Sequence, residues 1–426
     1  MADLVIKGGT VIDRTTTRIA DVVVADGRVV EVGPGLGGHR ALDASGCVVS
    51  PGLVDLHTHL RQPGKEEAET IESGARAAAR GGFTAVVAMP NTSPAMDSAA
   101  LVTEVLERGR HAACEVVASG AITVGRAGEQ LAPMGELADL GVRIFTDDGT
   151  GVQDDQVMRR AMEYASGLGV TLAQHCEVTS LSAGTCMHEG EWSTRLGLAG
   201  QPAEAEELMV ARDIALTRLT GARIHFQHLS TAGSVELVRA AKSEGLAVTA
   251  EATTHHFTLT DACVEGYDPV FKVHPPLRTD ADVAAVRRGL ADGTIDAIAT
   301  DHAPHTTADK ERPFDAAPPG MLGLETALAL AITELGDTIE LGDLLALLSW
   351  RPAGIAGIDD RHGRTVAPGE PANLCVFDPA ASWTVDPADT ASRSRNTPYA
   401  GRRLSGRVRH TLLWGEPTVI DGAPTR

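Results

Sequence analysis

The sequence predicts an α/β fold, a (β/α)₈ TIM barrel that carries a small β-sandwich domain. Two observations predict it. In residues 51–365, short apolar runs alternate eight times with segments of helical periodicity, the pattern of parallel strands joined by helices. Residues 1–50 and residues 366–426 each show period-2 alternation with turn signals, which is typical of antiparallel strands. The simplest arrangement joins the two ends in one composite β-sandwich domain and leaves 51–365 as the barrel domain.

The terminal strands are predicted from alternation and from the positions of glycine. A Gly8-Gly9 break separates two short strands, and the Asp26-Gly27 step marks a tight hairpin. The predicted terminal strands are 4–6, 10–12, 21–24, 28–30, 373–377 and 408–414.

The barrel elements follow one another in a regular order. The predicted strands are 53–58, 84–89, 115–123, 142–146, 170–173, 223–227, 247–251 and 296–300. The predicted helices are 72–79, 98–110, 134–140, 154–166, 203–219, 233–243, 280–291 and 323–334, with 341–350 packed on after the last repeat. Residues 185–200 form a polar loop that is long enough for a lid or an interface.

The acidic composition argues against several classes of function. The chain has 426 residues and a formal net charge of −20, which disfavours binding to nucleic acid or to an anionic membrane. No apolar run reaches membrane-spanning length, and the start of the chain lacks the pattern of a secretory signal. The six cysteines form no C-x-x-C pair, so neither disulfides nor a cysteine-based zinc site is expected. We therefore expect a cytoplasmic protein.

Metal-capable side chains collect at the carboxyl ends of five predicted strands, where the catalytic groups of a barrel lie. His57 and His59 stand two residues apart on the first strand, so both imidazoles point to one face. Scattered core histidines would not fall at these positions so regularly. The candidate ligands are His57, His59, Asp148, His175, His228 and Asp301.

Alternation along a strand decides between neighbouring candidates. On the fourth strand Asp147 shares a face with Arg143, which fits poorly in a packed barrel interior, so Asp148 is expected to point at the metals. On the sixth strand His228 shares a face with apolar residues, whereas His225 lies opposite and is expected to be structural.

The chemistry of this set favours zinc. Imidazole nitrogens with carboxylate oxygens suit this borderline ion. Two carboxylates among the ligands suggest two zinc ions per subunit that share a bridging hydroxide. None of the five lysines ends a barrel strand at the site, so Asp148 is the expected protein bridge.

The other histidines receive other expectations. A second-layer or loop role is expected for His255 and His256, and His188 is not expected to be a ligand. The expected surface histidines are His39, His111, His362 and His410.

The ordered ligand set resembles the amidohydrolase superfamily, and several segments are similar to class I bacterial dihydroorotase. The similar segments are His59-Leu60-Arg61-Gln62-Pro63-Gly64, Met89-Pro90-Asn91-Thr92, Phe145-Thr146-Asp147-Asp148-Gly149, Pro275-Pro276-Leu277-Arg278 and Ser394-Arg395-Asn396-Thr397-Pro398-Tyr399. The similarity runs from the first β unit to the last strand.

The resemblance implies a role for each candidate residue. It implies that His57, His59 and Asp301 hold one zinc ion, that His175 and His228 hold the other, and that Asp148 bridges both. It also implies that Arg61, Asn91 and His305 bind the substrate carboxylate. His274 stands where the family usually has asparagine, and we expect it to keep a substrate contact and to add a pH dependence to substrate binding.

The implied reaction is the reversible cyclisation of N-carbamoyl-L-aspartate to L-dihydroorotate and water, the third step of pyrimidine synthesis. Asp301 would act as the catalytic base and then as the acid. A homodimer and an association with aspartate transcarbamoylase are the partner expectations. Two alternatives remain open: another cyclic amidohydrolase (a dihydropyrimidinase, hydantoinase or allantoinase) and an inactive scaffold partner of aspartate transcarbamoylase.

Overall fold

The computed structural model describes residues 4–426, and its first segment is a set of β-strands. β1 (Leu4–Asp13) pairs with β2 (Thr16–Ala25) antiparallel, and β4 (Arg40–Asp43) and β5 (Val48–Pro51) pair with β1 parallel. Asp26 (φ 49°) and Gly27 (φ 75°) form the predicted hairpin between β2 and β3 (Arg28–Gly33), because both central residues of this turn need positive φ.

The first half of the central region alternates strands with helices. Its first two parallel strands are buried along their whole length, which explains their continuous apolar sequence. The bounds are β6 (Leu53–Thr58), α1 (Ile71–Arg80), β7 (Phe83–Ala88), α2 (Ala99–Gly109), β8 (Glu115–Ala118), α3 (Met134–Asp139), β9 (Ile144–Thr146), α4 (Asp155–Leu168), β10 (Thr171–Gln174), α5 (Thr179–Ser182), β11 (Met187–His188), α6 (Glu191–Leu196) and β12 (Gly200–Gln201).

The second half continues the alternation and ends in a run of helices. The bounds are α7 (Glu204–Thr220), β13 (Arg223–Phe226), α8 (Ala232–Ser243), β14 (Val248–Thr253), α9 (Asp280–Ala291), β15 (Ala297–Ala299), α10 (Thr307–Lys310), α11 (Ala327–Leu335), α12 (Leu341–Leu348) and α13 (Trp350–Ile355). None of these helices is both long and apolar enough to cross a bilayer, and the same holds for every helix in residues 4–426.

Eight of the central strands form two parallel sheets. One sheet has the order β6-β7-β8, and the other has the order β15-β14-β13-β10-β9. Single parallel bridges link the sheets at both edges, from Thr58 to His302 and from Gly120 to Phe145. Since all eight strands run in the same direction, their carboxyl ends gather at one end of the protein, where the site residues lie.

The C-terminal strands join those of the N-terminus. β16 pairs with β5, so both ends of the chain contribute to one nine-stranded sheet. The closing strands are β16 (Leu374–Thr384), β17 (Arg403–Leu413), β18 (Glu416–Ile420) and β19 (Ala423–Pro424). Whether this sheet is best described as a sandwich stays a prediction, as do the domain boundaries.

Several expectations about local structure are wrong. Gly8-Gly9 does not end a strand, because β1 continues through it with a register shift between Ile6 and Gly9. His362 and His410 are buried, not on the surface: His362 lies against Glu115 (Nε2–Oε2 2.9 Å), and His410 lies inside the terminal sheet. The 185–200 segment is not a plain loop, because it contains β11, α6 and β12.

Candidate metal centre and substrate cavity

The structure brings all six predicted ligands together at the carboxyl ends of the parallel strands. None is more than 7% exposed, although four are histidines and two are aspartates. Their donor atoms form two overlapping groups, one of His57, His59 and Asp301, and one of His57, Asp148 and His228. Burying so many polar and charged side chains side by side lowers the stability of the fold unless another charged species compensates them.

The first group lies around Asp301. Asp301 Oδ1 is 2.9 Å from His59 Nε2 and 3.6 Å from His57 Nε2. Burial alone would raise the pKa of Asp301, but the hydrogen bond from His59 and the nearby His57 hold this pKa below its ordinary value. The Asp301 carboxyl group is therefore ionised at neutral pH.

The second group lies around Asp148, which reaches both groups. Asp148 Oδ1 is 3.2 Å from His57 Nε2, 3.5 Å from His175 Nδ1 and 3.8 Å from His228 Nε2. Its Oδ2 is 3.6 Å from His59 Nε2. His175 Nδ1 and His228 Nε2 are themselves 2.9 Å apart, so His175 belongs to this group by position.

Three side chains at the site stand on backbone in the left-handed region. Arg61 (φ 60°), His228 (φ 35°) and Asp301 (φ 43°) all have positive φ although none is glycine. Such conformations cost of order 1–3 kcal/mol each and persist where the surrounding structure enforces them. Each lies just after a strand end, so the chain turns sharply there and directs the side chain into the site.

The ring of His57 tests whether these residues fit a metal ion. Its Nδ1 lies 2.9 Å from Glu251 Oε1, while its buried Nε2 has no hydrogen-bond partner and faces Asp148 and Asp301. A lone pair aimed at two carboxylates is unfavourable unless a cation lies between them. The nitrogen and oxygen donors suit a divalent transition metal, so the residues fit.

The electrostatics of the site agree with this test. Burial opposes charge on both His57 and Asp148, yet Asp148 raises the pKa of His57 well above its ordinary value. The same contact and those of His175 and His228 lower the pKa of Asp148 well below its own. Both shifts have one cause, the mutual stabilisation of a buried carboxylate and the imidazoles around it, in which a bound metal ion can take the place of the proton.

A small cavity opens beside these groups. Its volume is about 130 Å³, and among the predicted substrate-binding residues Arg61, Asn91 and His274 line it. Arg61 Nε donates to Pro304 O (3.1 Å), which fixes the direction of the guanidinium group. Arg61 is thus the cation that the cavity presents to a bound molecule.

His274 and His305 differ in their access to this cavity. His274 Nε2 is buried without a hydrogen-bond partner in a residue that lines the cavity, and burial lowers the pKa of His274 to about 4. The Nε2–H of His305 instead donates to Pro319 O (2.8 Å), and His305 does not line the cavity. His305 thus contacts two residues that line the cavity, Pro319 through this hydrogen bond and Arg61 (Nη2–Nε2 3.4 Å).

Asn91 is held by the candidate ligands themselves. Its Oδ1 lies 2.9 Å from His59 Nδ1, and its Nδ2 donates to Asp148 Oδ2 (2.9 Å). Both polar atoms of the side chain are therefore engaged by candidate metal ligands.

The residues rejected as ligands lie elsewhere. Asp147 accepts hydrogen bonds from the backbone of Ile122 and Thr123, on the outer side of its strand. His256 contacts Thr253 and Pro275 O, and His188 contacts Arg278.

Sequence reasoning missed two carboxylates behind the site. Glu251, inside β14, bonds to both His57 and His225 and is fully buried. Burial would raise its pKa, but hydrogen bonds from these two histidines lower the pKa of Glu251 to about 2. Glu177 lies near His175 (Oε2–Nε2 3.6 Å) and His274 (Oε2–Nδ1 4.0 Å). An acidic residue inside an apolar strand was the available signal for Glu251.

Known proteins similar to this chain fall into two sets. Residues 46–234 match the family model described as Dihydro-orotase-like. A dihydroorotase of Pelotomaculum thermopropionicum is 51% identical over 98% of this chain and 99% of its own length. Dihydroorotases of Streptomyces coelicolor (51% identical; 95% of this chain and 96% of that protein) and Mycobacterium tuberculosis (49%; 94% and 95%) are also similar.

The similar solved structures carry a different name. The L-hydantoinase (dihydropyrimidinase) of Arthrobacter aurescens superposes with a TM-score of 0.90 at 24% identity, covering 100% of this chain and 98% of that one. A D-hydantoinase superposes with a TM-score of 0.86 at 25% identity, covering 99% and 96%. At this level of identity the likeness shows a shared fold.

Proposed function

The chain belongs to the dihydroorotase family, and from this premise we propose which of its residues carry out the reaction. It is an enzyme that acts on a cyclic amide, with a metal cofactor implied by the family. The reaction is the reversible interconversion of N-carbamoyl-L-aspartate with L-dihydroorotate and water. The relatives of about 50% identity favour this activity over a hydantoinase or an inactive scaffold.

His57, His59 and Asp301 would hold one zinc ion, and His175 and His228 would hold a second. Asp148 would bridge the two, since its two oxygens face different groups of histidines. When bound, such ions polarise the amide carbonyl and lower the pKa of a water molecule toward ~7. The donor set of four imidazoles and two carboxylates supports both the choice of zinc and the number of two ions.

Asp301 is the proposed catalytic base. Its ionised carboxylate accepts a proton from the attacking water and returns it to the ring nitrogen as the amide C–N bond breaks. In the direction of ring closure, Asp301 takes the proton from the carbamoyl nitrogen instead. Its contacts with His59 and His57 support this role because they keep the carboxylate charged and fixed in place.

The single observation that carries the substrate assignment is Arg61 in the cavity beside the metal centre. A guanidinium group binds a carboxylate with two parallel hydrogen bonds. It offers a local positive charge that an anionic substrate needs in a protein of net charge −20. His274 Nε2 would contact the substrate directly, Asn91 from the metal side, and His305 through its contact with Arg61.

The wider architecture follows the same proposal. We propose that the eight parallel strands close into a (β/α)₈ barrel over 51–365, supported by the bridges at both sheet edges. Residues 1–50 and 366–426 would form the composite β-sandwich domain.

Six free cysteines support a cytoplasmic location. A homodimer and an association with aspartate transcarbamoylase are open proposals for its assembly.

A substrate panel tests the proposed function. Purified protein is assayed with L-dihydroorotate, dihydrouracil, hydantoin and allantoin, and the zinc content of the same sample is measured. We expect turnover of L-dihydroorotate at least 100-fold faster than of the uncharged rings, with close to two zinc ions per chain. Faster turnover of dihydrouracil or hydantoin would overturn the substrate assignment, and a zinc-free inactive protein would favour the scaffold.

A further inference from the structure

We propose that Glu251 and His225 are positioning residues, which hold the imidazole of His57 in the orientation and tautomer needed for binding metal. The inference rests on the proposed function, because it takes His57 as a metal ligand. Neither residue lines the substrate cavity, so neither is proposed to touch the substrate.

The contacts form a continuous chain across three strands. Thr249 Oγ1 lies 2.8 Å from His225 Nδ1, His225 Nε2 lies 3.1 Å from Glu251 Oε2, and Glu251 Oε1 lies 2.9 Å from His57 Nδ1. Glu251 and His57 are 0% exposed and His225 is 1% exposed. Glu251 thus uses one oxygen for each histidine.

One assignment of hydrogens satisfies every contact in this chain. The hydroxyl of Thr249 donates to His225 Nδ1, which leaves the hydrogen of His225 on Nε2 to donate to Glu251. The other oxygen of Glu251 accepts the Nδ1–H of His57. The lone pair of His57 is then on Nε2, the atom that faces Asp148 and Asp301 and has no other partner.

A purely structural ion pair would not need this geometry. A fully buried carboxylate is expensive to place inside a protein, and an apolar side chain of similar size would often serve stability as well. A carboxylate behind a metal-binding histidine fixes the ring and its tautomer, and its loss typically weakens metal binding 10–100-fold. Gln227 Nε2 also approaches His57 Nδ1, at 3.3 Å, but the shorter contact is that of Glu251.

The test measures zinc affinity directly, by competition with a chromogenic chelator on the metal-free protein, without substrate. For Glu251→Gln we expect affinity for the zinc ion that His57 would hold to fall 10–100-fold. We also expect kcat for L-dihydroorotate to fall while KM changes less than threefold, since the cavity is untouched. His225→Leu should lower zinc affinity less than Glu251→Gln does. The double variant should bind zinc no more weakly than Glu251→Gln, because both residues act through one chain of hydrogen bonds.

A matched control comes from a second carboxylate–histidine contact, between half-buried Glu115 and buried His362 (Oε2–Nε2 2.9 Å), outside the site. Glu115→Gln should leave zinc affinity and kcat within twofold of the parent. Unchanged zinc affinity in folded Glu251→Gln, or in His225→Leu if the former does not fold, would overturn the proposal. An equal loss in Glu115→Gln would also overturn it. If the parent protein fails to turn over L-dihydroorotate, the proposed function fails, yet the zinc comparison still decides the role of Glu251.

Discussion

The two halves of the site hold their side chains in different ways. In the metal half, every candidate ligand lies within or just after a parallel strand. In the substrate half, the side chains come from loops that lie between strands and helices. The metal half consists of His57, His59, Asp148, His175, His228 and Asp301, and the substrate half consists of Arg61, Asn91, His274 and His305.

The difference shows where backbone geometry alone positions a functional group. A strand directs alternate residues to one face, so sequence position determines the direction of the side chain. A loop imposes no such rule, and its side chains turn toward the nearest partner. Asn91 accordingly bonds to His59 and Asp148, and His305 bonds to Pro319 O, although both were expected to bind the substrate.

The largest effect is expected from Asp301 in the metal half. Asp301→Asn keeps the size of the side chain but removes the base, so kcat for L-dihydroorotate should fall about 10³-fold, within the usual range for acid–base groups. Steady-state kinetics with zinc content measured in parallel provide the check. Retention of more than a tenth of the parent kcat would show that another group accepts the proton.

Arg61 in the substrate half should affect binding of the substrate instead. Arg61→Met removes a charged hydrogen-bond donor worth about 1.5–3 kcal/mol, so kcat/KM for L-dihydroorotate should fall roughly 10–150-fold, mostly through KM. Any slow turnover of dihydrouracil, which lacks the carboxylate, should be unchanged and serves as the internal control. Equal losses with both substrates would mean that Arg61 does not bind the carboxylate.

Strand alternation made much of the metal half predictable from the sequence. It placed Asp148 on the inner face, and the structure has Asp148 among the histidines while Asp147 bonds to the backbone of Ile122 and Thr123. It also separated His228 from His225. Each inference used only residues on the same strand, which is why a single sequence sufficed.

The residues that were missed depend on partners far away in the chain. Glu251 acquires its role from His57, 194 residues earlier, and His362 is buried through Glu115, 247 residues earlier. Gly8-Gly9 resembles a strand break locally, but pairing with β2 carries the strand through it as an irregularity. Local pattern cannot reveal such contacts because they exist only once the strands have assembled.

Asn91 offers a way to break the division into two halves. Because both of its polar atoms contact candidate ligands, Asn91→Ala should lower zinc affinity about tenfold, as loss of a residue behind a ligand does. KM for L-dihydroorotate should rise less than threefold. The opposite pattern, a raised KM with unchanged zinc affinity, would keep Asn91 in the substrate half. Chelator competition and steady-state kinetics on the same preparation distinguish the two.

The smallest effect is expected from His274 and concerns pH. Because burial lowers the pKa of His274 to about 4, this ring is neutral between about pH 6 and pH 9. The expected pH dependence of binding therefore lies near pH 4, where protonation adds a positive charge that favours an anionic substrate. For His274→Asn, the ratio of its KM to the parent KM should stay constant within twofold from about pH 6 to pH 9 and should rise as the pH approaches 4. A KM ratio that changes with a midpoint near neutral pH would mean that His274 is more hydrated than its burial implies. The substrate half would then be less tightly packed than the metal half beside it.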